Sequence, residues 1–478
     1  MTNKVILSAI AAATLVTSLN ANTVEDKIIA LEKLIKAQQT QINELKSTVE
    51  DVEEIDERLE EIETRSFTDK IQMGLGMRVE MNNYNNTYAD GTDYKANDIW
   101  RTKLNINMKA KIADNLKFTG RLSMYKNWGD STTRMVQNDS MQGRKPDSSA
   151  VYAERAYIDW IINPGSTVPV IMTLGRQPSS DGPSYQVKED TTRKGTYDAL
   201  AFDGAADGIV LTANLDKVLS GTSARIAYGT PNVQDNAANT PNQTNYAGND
   251  NSSFDNTKVT GIFVDQTFKS LPFNNLVQVY HVSAKDLNAD GATLGLNDVN
   301  IGDLSISGFM LEATKIKLGG GLDLFAHYAR SNAKPTSNTG MNMSGFGGSP
   351  TAGLLTNNSV GDTESKSGDA VWIGARYTIN SDWKVGAEYN KGSKNWFSFT
   401  SGSNDPLNKL ATRGTAIEAY ITKTVNRNAN IRFGYVDINY DYTGSGSHLG
   451  APMKITNAMG KGAIKETKNA YMTFNVLF

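Results

Sequence analysis

Between Ile71 and Asn82 apolar and polar positions alternate without a break: Ile71, Met73, Leu75, Met77, Val79 and Met81 against Gln72, Gly74, Gly76, Arg78, Glu80 and Asn82. Successive side chains of a strand point to opposite faces, so such a run makes a ribbon with one oily and one aqueous face. Residues 100–111 repeat the pattern, with Trp100, Thr102, Leu104, Ile106, Met108 and Ala110 against Arg101, Lys103, Asn105, Asn107, Lys109 and Lys111. No stretch offers eighteen apolar residues in a row and mean hydropathy is −0.42, so helical membrane spans are not expected. If the chain enters a bilayer it must do so as a closed barrel, which satisfies every backbone donor and acceptor inside lipid. A soluble sandwich also alternates, but its polar face would look outward.

The connections separate these two readings. Strands are expected near 69–82, 98–112, 116–126, 152–162, 168–177, 208–215, 222–229, 258–268, 275–284, 303–317, 321–330, 369–379, 383–391, 415–425, 430–442 and 470–478. Seven short links alternate with eight long ones, as a sixteen-stranded barrel with both ends on the short-turn side requires. The fold class is therefore an all-β transmembrane antiparallel barrel of about sixteen strands over 67–478, preceded by an α-helical coiled coil. The runs 208–215, 258–268, 275–284 and 303–317 alternate poorly and leave fourteen or eighteen strands open.

Residues 1–21 read as a secretory signal peptide, with Lys4, the apolar run VILSAIAAATLV and a cleavage position after Ala21. Residues 22–66 carry a heptad seam whose core includes Ile28, Leu31, Ile35, Ile42 and Leu45, predicting a coiled coil of unknown strand number; one amphipathic helix against a globular domain is the alternative. Thirteen acids against six bases between Asn22 and Arg65 would repel anionic membranes and nucleic acid, so this segment is expected in the periplasm and no nucleic-acid partner is expected. The chain has no cysteine, and a barrel closed by backbone pairing needs none.

The last strand, AYMTFNVLF, sets Phe474 and Phe478 on one face and resembles the signal read by the barrel-assembly machinery. The stretch TLGRQPSSDGPSYQVKEDTTRKGTYDALAFDGAADGIVLT, with DIWRTKLNINMKAKIADNLKFTGRLSM and ERAYIDW before it, is similar to a family of outer-membrane barrel proteins of Campylobacterota (epsilonproteobacteria) without an assigned biochemical role. The resemblance is close over most of residues 70–215 and holds in outline beyond. It implies an outer-membrane location and a porin-like barrel. The signal-plus-coiled-coil start also resembles trimeric porins with a periplasmic helical stalk, which makes a homo-oligomer the expectation and a trimer one option.

Function must come from the lumen. Where the phase is clear, the inward bases are Arg78, Arg101, Lys103, Lys109, Lys111, Lys117, Arg121, Arg155, Arg225, Arg376, Lys384 and Arg432, against the acids Glu80, Asp159, Glu388 and Glu418. A basic wall in a narrow channel raises the local anion concentration and predicts a modest anion preference. Pairing of these cations with loop carboxylates folded into the pore is the alternative. The loop 178–207, with Asp181, Glu189, Asp190, Arg193 and Lys194, is the expected constriction; it would equally serve as an external lid.

DLNADG begins like a calcium loop with Asp286, Asn288 and Asp290, but Asn297 stands where a glutamate is needed, so an Asx-rich turn is the simpler reading and no cofactor is expected. His281, His327 and His448 have no ligand spacing, and no Ser-His-Asp set stands out, so the chain is not expected to be an enzyme. The expected function is passive diffusion of small hydrophilic solutes or ions, with lipid and lipopolysaccharide around the barrel. A substrate-specific uptake channel, and a structural or adhesive protein whose coiled coil engages peptidoglycan, stand as alternatives.

Overall fold

The computed structural model describes residues 71–127, 151–178, 184–191, 193, 199–203, 205–230, 257–289, 299–336, 363–400, 405–445 and 452–478, with Ile28, Glu32, Ile35, Lys36, Gln39 and Thr40 before them. Those six residues are helical and exposed. Leu31, Ile42 and Leu45 of the expected coiled-coil core, the signal peptide and nearly all of the 22–66 segment lie outside the described residues.

The strands are β1 (Ile71–Tyr88), β2 (Asp93–Ala113), β3 (Leu116–Asn127), β4 (Val151–Ile161), β5 (Val170–Pro178), β6 (Phe202–Asp203), β7 (Ala205–Asn214), β8 (Thr222–Thr230) and β9 (Lys258–Gln266). They continue with β10 (Asn274–Ala289), β11 (Val299–Ile316), β12 (Leu322–Pro335), β13 (Lys366–Thr378), β14 (Trp383–Gly392), β15 (Phe399–Thr400), β16 (Gly414–Asn426), β17 (Ala429–Tyr440) and β18 (Ile464–Leu477). All but the two-residue strands β6 and β15 form one closed barrel of sixteen strands, with β1 paired antiparallel to β18. The sixteen expected strands are the sixteen observed, and fourteen and eighteen are excluded.

The first long link is a correction. Fifteen residues were expected between the first two strands, but β1 runs on to Tyr88 and β2 starts at Asp93, leaving a four-residue turn. The intervening NNYNNTY is polar on both faces, so the alternation stops while the backbone ladder does not.

The outer face carries large exposed apolar side chains on most strands, among them Met77, Ile158, Ile209, Ile226, Val279, Phe309, Ile373, Ile417 and Phe433. A band of this kind suits hydrocarbon rather than water. The poorly alternating strands have a second reason to be apolar. On β9 to β13 the inward residues Val259, Phe263, Val282, Leu304, Ile306, Phe325 and Trp372 are buried as well, against loop residues folded into the barrel. Both faces of these strands meet apolar matter, so a period of two fades from their sequence.

Inward aromatic rings lie across glycines of neighbouring strands. A Cβ on Gly434 would sit 2.3 Å from the Tyr471 ring and one on Gly386 2.3 Å from the Tyr420 ring. We expect Gly434→Val to displace Tyr471 and lower thermal stability by about 1–3 kcal/mol, the usual range for overpacking. The thermal midpoint of the refolded protein measures this, and an unchanged midpoint would contradict it.

Candidate functional site

The connection between β5 and β7 turns into the barrel. Its helix α1 (Tyr185–Glu189) is buried throughout and is bounded by Ser184 and Asp190, both left-handed with φ of 75° and 55°. Its polar side chains and the residues that follow reach seven strands. Gln186 Nε2 donates to Glu312 Oε1 at 2.7 Å on β11, and Lys188 Nζ meets Glu418 at 3.2 Å on β16. Glu189 Oε1 accepts from Arg432 Nη1 at 2.7 Å on β17 and from Arg78 Nη1 at 3.2 Å on β1. Asp190 accepts from Arg376 Nη1 at 2.7 Å on β13 and from Lys384 on β14, and Arg193 Nη2 donates to Asp265 at 2.7 Å on β9.

A second connection, between β14 and β16, folds in beside it. β6 and β15 pair parallel to join the two loops, and the Ser398 hydroxyl donates to Leu200 O at 2.6 Å. Trp396, Phe397 and Leu410 pack with Tyr185 and Leu200 against the apolar inner wall. Lys409 Nζ lies 2.5 Å from Glu388 Oε2 and also donates to Glu418, which accepts the Tyr471 hydroxyl as well. Two ammoniums and two carboxylates thus share one site, with both lysines and both acids buried.

Charge neutrality within that site decides its protonation. Burial disfavours the ammonium of Lys188, but the carboxylates of Glu418 and Glu388 outweigh it and hold the group above the ordinary lysine value. Lys409 moves the same way against the same burial, through Glu388 and then Glu418. For Glu189 burial works against ionisation, yet Arg432, Arg78 and Lys188 bring its carboxyl down to about 2. The loop is therefore held by buried, ionised pairs. Breaking one side of such a pair typically costs about 3–5 kcal/mol.

The expected pore cations mostly carry partners. Arg78 and Arg101 both reach Glu80, at 3.4 and 3.2 Å. Arg376 holds Asp323 at 2.6 Å besides Asp190, and Arg225 holds Asp265 at 2.8 Å. Lys103 is buried. Arg121 pairs with Glu154 at 3.3 Å and donates to Asn107 at 2.7 Å. By simple alternation Glu154 would face outward, but it is the extra residue of a bulge in β4, opposite Arg121 and Leu122 of β3, which sets its carboxylate inside. A bulge leaves no mark in the period of a sequence, so this acid was missed. Asp265 and Glu312 were missed because they sit on strands without clear phase, and Lys188 and Lys409 because they lie in loops; Asp323, the second residue of β12, was not read as inward. Arg155 lies against Tyr157 and Glu154, while its Nε and Nη2 are buried without a partner. Lys109 and Lys117 form no ion pair among the described residues and stand exposed near the short-turn end of the barrel.

Two of the spaces beside the loops stand out among the described residues. A polar cavity of about 120 Å³ is lined by Arg78, Lys103, Asn107, Arg121, Glu189 and Asn430. Amide ladders flank it, with Asn469 donating to Asn82 at 2.7 Å and Asn475 to Asn430 at 3.0 Å. The second space is a cleft on the inner face of β4 to β10.

Asp181 and Lys194 lie outside the described residues. Phe474 pairs with Val79 and Ile431, and Phe478 exchanges backbone hydrogen bonds with Leu75 of β1 at 2.6 and 2.9 Å. Ile28 and Ile35 are exposed helical residues. The turn or calcium loop expected at 286–291 is corrected: Asp286 and Asn288 belong to β10, and Asp286 Oδ1 accepts from Asn300 at 3.0 Å. Asp290 is outside the described residues, among which no cluster of metal-ligating side chains occurs. His327 is buried against Tyr280, and His281 Nδ1 lies 2.8 Å from Ser307 Oγ on the outward face with no acid bonded to its ring.

A closed sixteen-stranded barrel with an apolar belt and a charged, loop-lined interior is a porin-type barrel. The chain belongs to the family described as protein of unknown function (DUF3373), which matches residues 93–478. No curated protein matches it. Among solved structures it is similar to OmpF of Salmonella typhi in complex with daunomycin, at 12% identity over 86% of this chain and 99% of that one, with a TM-score of 0.45. It is also similar to OmpT, an outer membrane protein of Vibrio cholerae, at 12% identity over 85% and 97% with a TM-score of 0.43, and to its loop L8 deletion mutant at 12% over 85% and 99% with a TM-score of 0.42.

Proposed function

We propose that this chain is a non-enzymatic outer-membrane channel through which small hydrophilic solutes and ions diffuse past a fixed constriction. The observation that carries the reading is α1, tethered by ion pairs across the interior of a closed barrel. Sixteen strands enclose an aqueous channel unless loops fill it, and here two loops fill part of it. The apolar outer belt supports membrane insertion, and the coiled coil would stand in the periplasm as the stalk of a homo-oligomer. Assembly by the barrel-assembly machinery and contact with lipopolysaccharide and peptidoglycan belong to the same reading.

Seven of the twelve inward bases are matched by acids of the wall or of α1: Arg78, Arg101, Arg121, Arg225, Arg376, Lys384 and Arg432. Lys111 meets Asp114 at 2.5 Å in the turn after β2, and what favours anions is Lys109 and Lys117, exposed near the short-turn end with no ion pair among the described residues. Selectivity should be weak. In a planar bilayer under a salt gradient we expect chloride over potassium by about two- to fivefold. A strong preference for potassium would overturn the charge reading, and absence of any conductance would overturn the channel.

A further inference from the structure

The polar cavity of about 120 Å³ lies between Glu189 and Thr191 of the β5–β7 connection and the wall of β17, β18 and β1 to β3. Its charges are matched. Arg78 reaches Glu189 at 3.2 Å and Glu80 at 3.4 Å, Arg121 reaches Glu154 at 3.3 Å, and Lys103 is buried with the Glu154 carboxylate nearby. Three cations thus stand against three acids around this space, which gives a passing ion little to hold.

Its carboxamides are in a different state. Asn105 and Asn107, two apart on β2, share the inward face of that strand, and Asn430 of β17, Asn475 of β18 and Asn428 of the turn before β17 complete the lining. The wall uses one end of most of them. Asn105 Oδ1 accepts from the Ser123 hydroxyl at 2.8 Å, Asn107 Oδ1 from Arg121 Nε at 2.7 Å, and Asn430 Oδ1 from Asn475 Nδ2 at 3.0 Å. The Nδ2 groups of Asn105, Asn107 and Asn430, the Oδ1 of Asn475 and the side-chain amide of Asn428 have no hydrogen-bond partner among the described residues. The open groups are therefore uncharged, and they include both donors and acceptors.

A hydroxyl is likewise donor and acceptor in one uncharged group. A short chain of hydroxyls can replace the waters on these amides bond for bond, whereas an ion would have to give up hydration for groups without charge. The cavity has room for several waters and so for one such chain. We infer that it is a binding site for a small neutral polyol of the size of glycerol or erythritol. The inference rests on the channel reading and names a solute class for it, since a hydroxylated solute passing α1 on this side is held where an inorganic ion is not.

Saturation-transfer difference NMR with erythritol, on the full-length protein refolded in a detergent without sugar or glycol headgroups, tests the site without needing a conducting pore. A saturable signal is expected, displaced by glycerol but not by butyrate or choline at the same concentration. Asn107→Asp with Asn430→Asp keeps the oxygens that accept from Arg121 and Asn475 and removes two open Nδ2 donors, so the wall bonds stay while affinity should fall about tenfold or more. Asn107→Leu, which adds no charge, should weaken binding in the same direction. An unsaturable signal, a signal equal in wild type and both variants, or displacement by butyrate as strong as by glycerol overturns the site. Conductance recorded on the same preparations separates the two claims: a silent bilayer with saturable erythritol binding overturns the channel and leaves the site, and an open channel without erythritol binding does the reverse.

Discussion

Glu418→Gln is expected to release the inner loops and raise single-channel conductance while the barrel itself stays closed. Glu418 accepts from Lys188, Lys409 and Tyr471, so it holds α1, the 405–413 segment and β18 at one point. Neutralising it leaves two buried ammoniums facing Glu388, with Asp405 a weaker counter-charge. That imbalance should destabilise the docked loops by about 3–5 kcal/mol, because an uncompensated buried charge is far more costly than a missing pair. The backbone ladder from β14 through β18 contains no part of this network, so strand content should not change. Conductance should rise and become noisier in wild-type-like barrels, as judged by circular dichroism. Adding Lys188→Met to Glu418→Gln removes one of the two stranded ammoniums and should recover part of the lost thermal stability. An unchanged conductance and an unchanged thermal midpoint in Glu418→Gln would show that the loops are held by their apolar contacts alone.

Those apolar contacts explain what could and could not be read from the sequence. β1, β2 and β18 were legible because one face is apolar and turned outward while the other is polar and turned inward, as in Met77 beside Arg78. The closure of sixteen strands followed from the rhythm of turns even where alternation failed. It failed on β9 to β11, where Ile262 and Val264 look outward and Phe263 inward to Tyr280. An apolar residue on every face carries no information about which face it occupies. The charge reading had the reverse difficulty. Arg78, Arg376 and Lys384 meet counter-charges, Glu189 and Asp190, that come from a loop more than a hundred residues away from any of them. Sequence spacing has no access to such pairs, and the resulting lumen is less basic than the wall alone would make it.

Glu189 gives this arrangement an acid limit, and the sign follows from its ionised state. Its carboxyl is at about 2 in the folded protein against an ordinary 4.5, because Arg432, Arg78 and Lys188 outweigh burial. A depressed carboxyl contributes stability above its unfolded value and loses it as the pH falls through the folded one. The contribution is on the order of 3 kcal/mol and should disappear between about pH 4.5 and about pH 2. Asp190, also lowered by Arg376 and Lys384 against burial, acts in the same direction. Conductance should therefore hold steady from neutral pH down to about pH 5 and rise below it as α1 detaches. Glu189→Gln should abolish most of this acid response and show the loosened, higher-conductance state already at neutral pH, since Arg432 would then lie fully buried without its main counter-charge. A wild-type channel whose conductance is flat to about pH 2.5, or a Glu189→Gln channel indistinguishable from wild type at every pH, would mean that Glu189 does not hold α1 in the lumen.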